Sequence, residues 1–199
     1  AIEIVQEWKK QTGLTIYEGY GLTETASAVT YNHIYRHVVG SIGDCVPGVE
    51  VQIRDDSGNQ VEQGREGEIC IRGHNVMIGY LDNPEETRSA FWENGWFRSG
   101  DIGHFDEDGY LYIVDRLKDM IITGGENVYP REIEEVIYTR SEVELCAVVG
   151  IPDKEWGERV TAFMVPRPGK KISPDELRKY LKSRPVSYTH LTLPTKRIV

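Results

Sequence analysis

Residues Asp115 to Glu134 read DRLKDMIITGGENVYPREIE. Four of the first five are charged, a Gly-Gly step follows, and Tyr129-Pro130 then opens an amphipathic helix with Ile133, Val136 and Ile137 on its apolar face. An acidic and a basic residue side by side at the end of an apolar strand suit a hinge or a polar ligand. Gly124-Gly125 is backbone that can approach a ligand closely. Together they point to a moving joint beside a small-molecule site.

Upstream of this run, Ile2, Val5 and Trp8 recur at helical spacing up to Gly13, and Leu14–Tyr17 reads as a short strand. A polar loop, GYGLTET, follows. From 40 to 114 the pattern is mostly β. Val49–Arg54 and Glu68–Arg72 alternate, and Ile102–Phe105 and Tyr110–Val114 flank the turn Asp106-Glu107-Asp108-Gly109. A short helix is expected over Pro84–Trp92. Strands of this length and spacing suggest a small barrel or folded sheet. Downstream, valine-rich strands are expected over 142–150 and 160–165, then a helix opened by the capping box Ser173-Pro174-Asp175-Glu176. The fold class is α+β.

Composition narrows the function. The net charge of −9 opposes a nucleic-acid partner, which calls for a basic face. No apolar run reaches the roughly 18 residues of a membrane helix. Cys45, Cys70 and Cys146 are odd in number, lie in or beside apolar stretches, and read as buried free thiols of a reducing, cytoplasmic compartment. His33 and His37 stand four apart without a third ligand, too little for a metal site.

Four stretches can carry chemistry, each with a plainer reading beside it. In Gly19–Thr25, glycine amides and threonine hydroxyls can donate to phosphate, Glu24 can hold magnesium, and Tyr20 offers a face for a base; otherwise the stretch is a turn with a surface glutamate. Asp101, closing WFRSGD, can accept both hydroxyls of a ribose, or is a turn residue. Arg116 can bond a ribose or phosphate, or is half of a surface ion pair. Gly124-Gly125-Glu126-Asn127 is either a β-turn or the flexible wall of a narrow channel.

Their order is more specific than any one of them. GYGLTE, GEICIRG, WFRSGD and DRLKDMIITGGENVYPREIE, in that sequence, resemble the adenylate-forming enzymes, the superfamily of acyl-CoA synthetases, firefly luciferase and peptide-synthetase adenylation domains. The resemblance covers residues 14–184 and looks most like the long-chain fatty acid–CoA ligases. It implies the end of a large AMP-binding domain over 1–114 (β-rich over 40–114), a hinge over 115–118 and a small domain over 119–185. Tyr20 is similar to the residue that stacks on adenine, Gly21 lies in the same nucleotide loop, and Thr23 is similar to a phosphate contact. Glu24 resembles the Mg ligand, and Thr23 and Glu24 together the catalytic pair. Asp101 and Arg116 resemble the ribose contacts, with Ile113 an apolar wall near the base. Asp115 or Lys118 resembles the hinge residue. Gly124, Gly125 and Glu126 resemble the loop that lines the CoA pantetheine channel. The implied substrates are ATP, a fatty acid and CoA, converted through acyl-AMP to the thioester. The resemblance also allows peripheral membrane contact by the full-length protein. The runner-up readings are another adenylate-forming enzyme (aryl or medium-chain acid ligase, luciferase-like enzyme or peptide-synthetase module) and a non-enzymatic nucleotide-binding paralogue.

Two departures bear on activity. The family's glycine- and Ser/Thr-rich phosphate loop with its lysine has no counterpart in this sequence, and neither does the Pro-x-x-x-x-Gly-Lys stretch of its catalytic lysine. Residues 186–199 read VSYTHLTLPTKRIV, in which Lys196 lacks a preceding glycine. The segment resembles a non-native tail, and the chain, opening at Ala1 in mid-helix, reads as a fragment. The purified chain is therefore expected to form no acyl-AMP. Pyrophosphate released from ATP, magnesium and a fatty acid by these residues alone would contradict this.

Overall fold

The computed structural model describes residues 2–184, with side chains from residue 5 onward. The segment 186–199, with Lys196, lies outside the described residues. The chain is α+β and divides into two compact units, residues 1–117 and 118–199.

In the first unit, α1 (Ile2–Thr12) ends where Gly13 takes φ +73° and its N–H reaches the Lys9 carbonyl at 2.9 Å. The strand expected over Leu14–Tyr17 does not form there; Leu14 and Tyr17 are exposed. Pairing starts later, at β1 (Gly19–Tyr20), because the partner β2 (Thr30–Tyr31) meets the chain only at that point. β3 (Asp44–Cys45) completes this small sheet. Cys45 is exposed, contrary to the expectation of three buried thiols; Cys70 is buried, Cys146 half-buried, and all three are free.

The expected barrel or folded sheet takes the second form. β4 (Val49–Arg54), β5 (Gly67–Gly73), β6 (Phe97–Phe105) and β7 (Leu111–Arg116) pair in sequential order as an antiparallel meander. Val49, Ile53, Ile69, Ile71, Phe97 and Leu111 fill its core with Val29 and Ile42. Before β6, α2 (Pro84–Ser89) is capped by Asn83, whose side chain accepts the Glu86 N–H at 3.2 Å. β5 departs from alternation: Glu68, Ile69, Cys70 and Ile71 are all buried. Its second face is covered too, by Arg98 stacked over Trp92 at 4.5 Å. Burial in that layer pushes the Cys70 thiol up to about 12.

In the second unit, β8 (Ile121–Thr123) and β9 (Glu126–Val128) form a hairpin, followed by α3 (Pro130–Tyr138), β10 (Val143–Asp153), β11 (Gly157–Pro166) and α4 (Pro174–Lys182). The sheet order is β10-β11-β8-β9. Ile133 and Ile137 of α3 and Leu177 and Leu181 of α4 pack on Val148, Val160 and Ala162. Edge strand β10 is protected by α3: the Tyr138 hydroxyl donates to the Cys146 carbonyl and accepts its N–H, and Glu134 accepts the Val148 N–H.

Gly124-Gly125 is the two-residue loop of the β8–β9 hairpin, with φ +58° and +86°. Positive φ at both positions is what a type I′ turn demands, so the β-turn reading describes the local geometry. A Cβ on Gly124 would meet the Trp156 ring at 2.9 Å, whereas one on Gly125 would meet nothing within 4 Å. Gly125→Ala is therefore expected to lower stability by about 1 kcal/mol through backbone strain alone, Gly125→Asn by less, and Gly124→Ala by more. Thermal melts of the three variants check the ranking.

Candidate functional site

Asp101 lies near the middle of β6, 9 % exposed. The Tyr20 hydroxyl, from β1, donates to its Oδ2 at 2.6 Å. Arg116, its cross-strand partner on β7, brings Nε within 3.7 Å of Oδ1. Asp101 donates its own N–H to the Ser99 hydroxyl at 3.0 Å. Three of the site residues expected from sequence, in positions 20, 101 and 116, are thus brought together. Burial, then the hydrogen bond to Asp101, raises the Tyr20 phenol well above the ordinary tyrosine value. Tyr20 therefore stays protonated and remains a donor. Arg116 is mostly exposed, so its pairing with Asp101 adds little stability and leaves the guanidinium available to a ligand.

The loop after Tyr20 is shaped by backbone. Thr23–Thr25 form a 3-10 turn, and Ala26 and Ser27 follow with φ +50° and +70°. Consecutive left-handed residues other than glycine cost about 1–2 kcal/mol each and are held only where the surroundings fix them. Gly21 fits because a Cβ there would collide with the Ser27 carbonyl. Thr25 is buried and its hydroxyl accepts the Leu22 N–H at 2.9 Å, whereas Thr23 is exposed.

Residues 75–80 strap this loop. Asn75 Nδ2 donates to the carbonyls of Thr25 and Ala28, at 3.0 and 2.5 Å. Met77 donates its N–H to the Glu24 carbonyl at 2.7 Å. The Tyr80 hydroxyl donates to Glu24 Oε1 at 3.1 Å. Asn75, Tyr80 and Ser99 are site neighbours that sequence reading missed. Tyr80 had a usable signal, since it follows Gly79 in a turn-rich run. No group of three or more His, Cys, Asp or Glu side chains able to hold a metal occurs among the described residues. Glu24 is one carboxylate with one oxygen engaged by Tyr80. That suits magnesium, which keeps its waters and takes one or two carboxylates beside substrate phosphates.

Of the remaining expected residues, Ile113 packs against the core of the first unit. Asp115 is buried and its Oδ1 accepts the Arg116 N–H at 2.8 Å. Lys118 is exposed, in a 3-10 turn over Leu117–Asp119. Gly124, Gly125 and Glu126 are exposed at the β8–β9 turn of the second unit.

Comparison with known proteins agrees with the order of the motifs. Residues 1–81 match the AMP-binding enzyme family, and residues 132–192 match the AMP-binding enzyme C-terminal domain. This chain belongs to the adenylate-forming superfamily. A long-chain-fatty-acid–CoA ligase of Yersinia pestis is 45 % identical over 183 residues, 89 % of this chain and 32 % of the ligase. A feruloyl-CoA synthase of an Amycolatopsis species is 46 % identical over 179 residues, 88 % of this chain and 36 % of the synthase. The crystal structure of ATP-bound MatB from Rhodopseudomonas palustris superposes with a TM-score of 0.89 at 36 % identity, over 98 % of this chain and 40 % of MatB. The chain thus spans about a third of the length of the curated relatives it matches. No helix of the described residues is long and apolar enough to cross a membrane.

The Tyr20 phenol supports a pH test. A phenol raised in the folded state leaves stability whole below the unfolded value and erodes it as pH climbs towards the folded value. Above about pH 10 the unfolded chain releases this proton while the folded chain keeps it, a slope of up to about 1.4 kcal/mol per pH unit. Tyr20→Phe is expected to lower stability by about 1–2 kcal/mol at pH 8 and to flatten the alkaline loss by one proton. Urea unfolding between pH 9 and 11 measures both; equal alkaline slopes in the two proteins would rule the buried phenol out.

Proposed function

We propose that this chain is the ribose-binding and hinge portion of an AMP-forming acid–CoA ligase acting on long-chain fatty acids in the cytoplasm. The observation that carries the reading is the buried Asp101 carboxylate between Tyr20 and Arg116. Two oxygens fixed on one plane suit a vicinal diol, and the adjacent arginine suits the ribose or phosphate. Tyr20 then supplies a flat surface to adenine, with Ile113 near it. Support comes from the ATP bound in MatB and from the ligase names of the curated relatives.

In this reading the carboxylate substrate attacks the α-phosphorus of ATP, giving acyl-AMP and pyrophosphate. The CoA thiol then attacks the acyl carbonyl and AMP leaves. Thr23 and the backbone of the strapped loop orient phosphate oxygens. Glu24 would hold magnesium, which when bound offsets charge on those oxygens. Asp115 and Lys118 form the hinge, since one small domain has to serve two different steps. Gly124, Gly125 and Glu126 line the pantetheine path. The 46 % identity to a feruloyl-CoA synthase favours an aryl acid as the second reading.

The full-length protein is expected to exchange pyrophosphate into ATP with long-chain fatty acids and to transfer the acyl group to CoA. Asp101→Ala is expected to lower kcat/KM for ATP by about a hundredfold, a loss of two charge-assisted hydrogen bonds. An acid panel from decanoate to oleate, with ferulate, is the check. Faster exchange with ferulate would move the substrate to the aryl class, and none with any acid would overturn the ligase reading.

A further inference from the structure

We propose that Glu68 is a positioning residue for ribose recognition, holding the bend of β6 that aims Asp101; this rests on the ribose reading above. Strands β5 and β6 are in register at Cys70↔Arg98 and again at Glu68↔Ile102. Between those pairs β5 has one residue, Ile69, while β6 has three, Ser99, Gly100 and Asp101. Such a bulge bends a strand and re-aims a side chain. Gly100 makes it possible with φ +73°.

A bulge takes backbone amides out of the ladder, and in a buried layer each needs another partner. Glu68 provides it. Its Oε1 accepts the Gly100 N–H at 3.1 Å and its Oε2 accepts Arg98 Nε–H at 2.9 Å. The carboxylate is buried, with its side chain 7 % exposed. Arg98 is fixed in turn by stacking over Trp92. Trp92, Arg98, Glu68 and Gly100 thus form a continuous chain of contacts ending one residue before Asp101. The far side of Asp101 is set by Tyr20 and Arg116.

An ion pair with one buried member is a weak source of stability, since desolvation of the Glu68 carboxylate offsets much of its attraction to the partly exposed Arg98. Apolar residues at 68 and 98 with a regular ladder would pack the same layer. What Glu68 and Arg98 add is a fixed place for the bulge, and with it a fixed place for the Asp101 carboxylate. Glu68 touches no substrate in this scheme and acts through Asp101.

The test uses the full-length protein and compares ATP with 2′-deoxyATP and 3′-deoxyATP. Asp101→Ala is expected to abolish discrimination between them. In Glu68→Gln one amide N–H faces a donor, so KM for ATP is expected to rise about tenfold with a smaller change in kcat, the equivalent of one lost hydrogen bond. The preference for ATP over the deoxynucleotides should fall, because kcat/KM for the deoxynucleotides, which each keep one hydroxyl for Asp101, drops by a smaller factor than that for ATP. A role in folding alone would lower all three nucleotides together, and that result overturns the proposal. Discrimination lost in Asp101→Ala but kept in Glu68→Gln overturns the positioning role and leaves the ribose site standing. Discrimination kept in Asp101→Ala overturns both. Arg98→Lys, which keeps the charge and loses the Nε–H, is read in the same way should Glu68→Gln not fold.

Discussion

A carboxylate taken out of water has to be met by donors, and Asp101 is where the first unit meets that demand. Its partners come from chain segments far apart: a phenol 81 residues upstream that donates a hydrogen bond, and a guanidinium across the neighbouring strand that pairs with it by charge. Satisfying one buried charge therefore ties β1 to the meander and fixes where the Gly19–Thr25 loop begins. Burial first, and this same bond second, keep the Tyr20 phenol protonated and a donor.

Once β1 is anchored there, the loop after it has little freedom left. Asn75, Met77 and Tyr80 bind it from one side, and the two left-handed residues Ala26 and Ser27 persist because those bonds hold them. The strain is local and so is its compensation. A loop fixed in this way offers exposed Thr23 and half-engaged Glu24 from a rigid backbone, which is what phosphate recognition by geometry requires.

The parts legible in the sequence are those whose causes are local. Pro130 and Pro174 open helices because a fixed φ and a missing N–H suit the first turn. Ser173 caps α4 by accepting the Glu176 N–H. Gly13 stops α1, and Asp106–Gly109 turns the β6–β7 hairpin, within a few residues of the signal that predicts them. Leu14–Tyr17 misled because apolar spacing cannot say where a partner strand will arrive; Thr30–Tyr31 arrives at Gly19 instead. Cys45 misled in the same way, since an apolar neighbourhood in sequence is not a covered one in space.

Glu68 shows the deeper limit. In Glu68-Ile69-Cys70-Ile71-Arg72 the polar and apolar residues alternate, and period two places glutamate on a solvent face. That inference assumes one wet face. Here Trp92 and Arg98 cover the second face, so the glutamate is buried without any change in the pattern that predicted otherwise. A buried charge and an exposed charge leave the same mark in a strand of this length. Only the residues that arrive from elsewhere, here Trp92 and, in the WFRSGD stretch on the neighbouring strand, Arg98, separate the two. The motifs of this family are legible because they are local strings. The contacts that aim them lie between strings, and composition and periodicity carry no record of those.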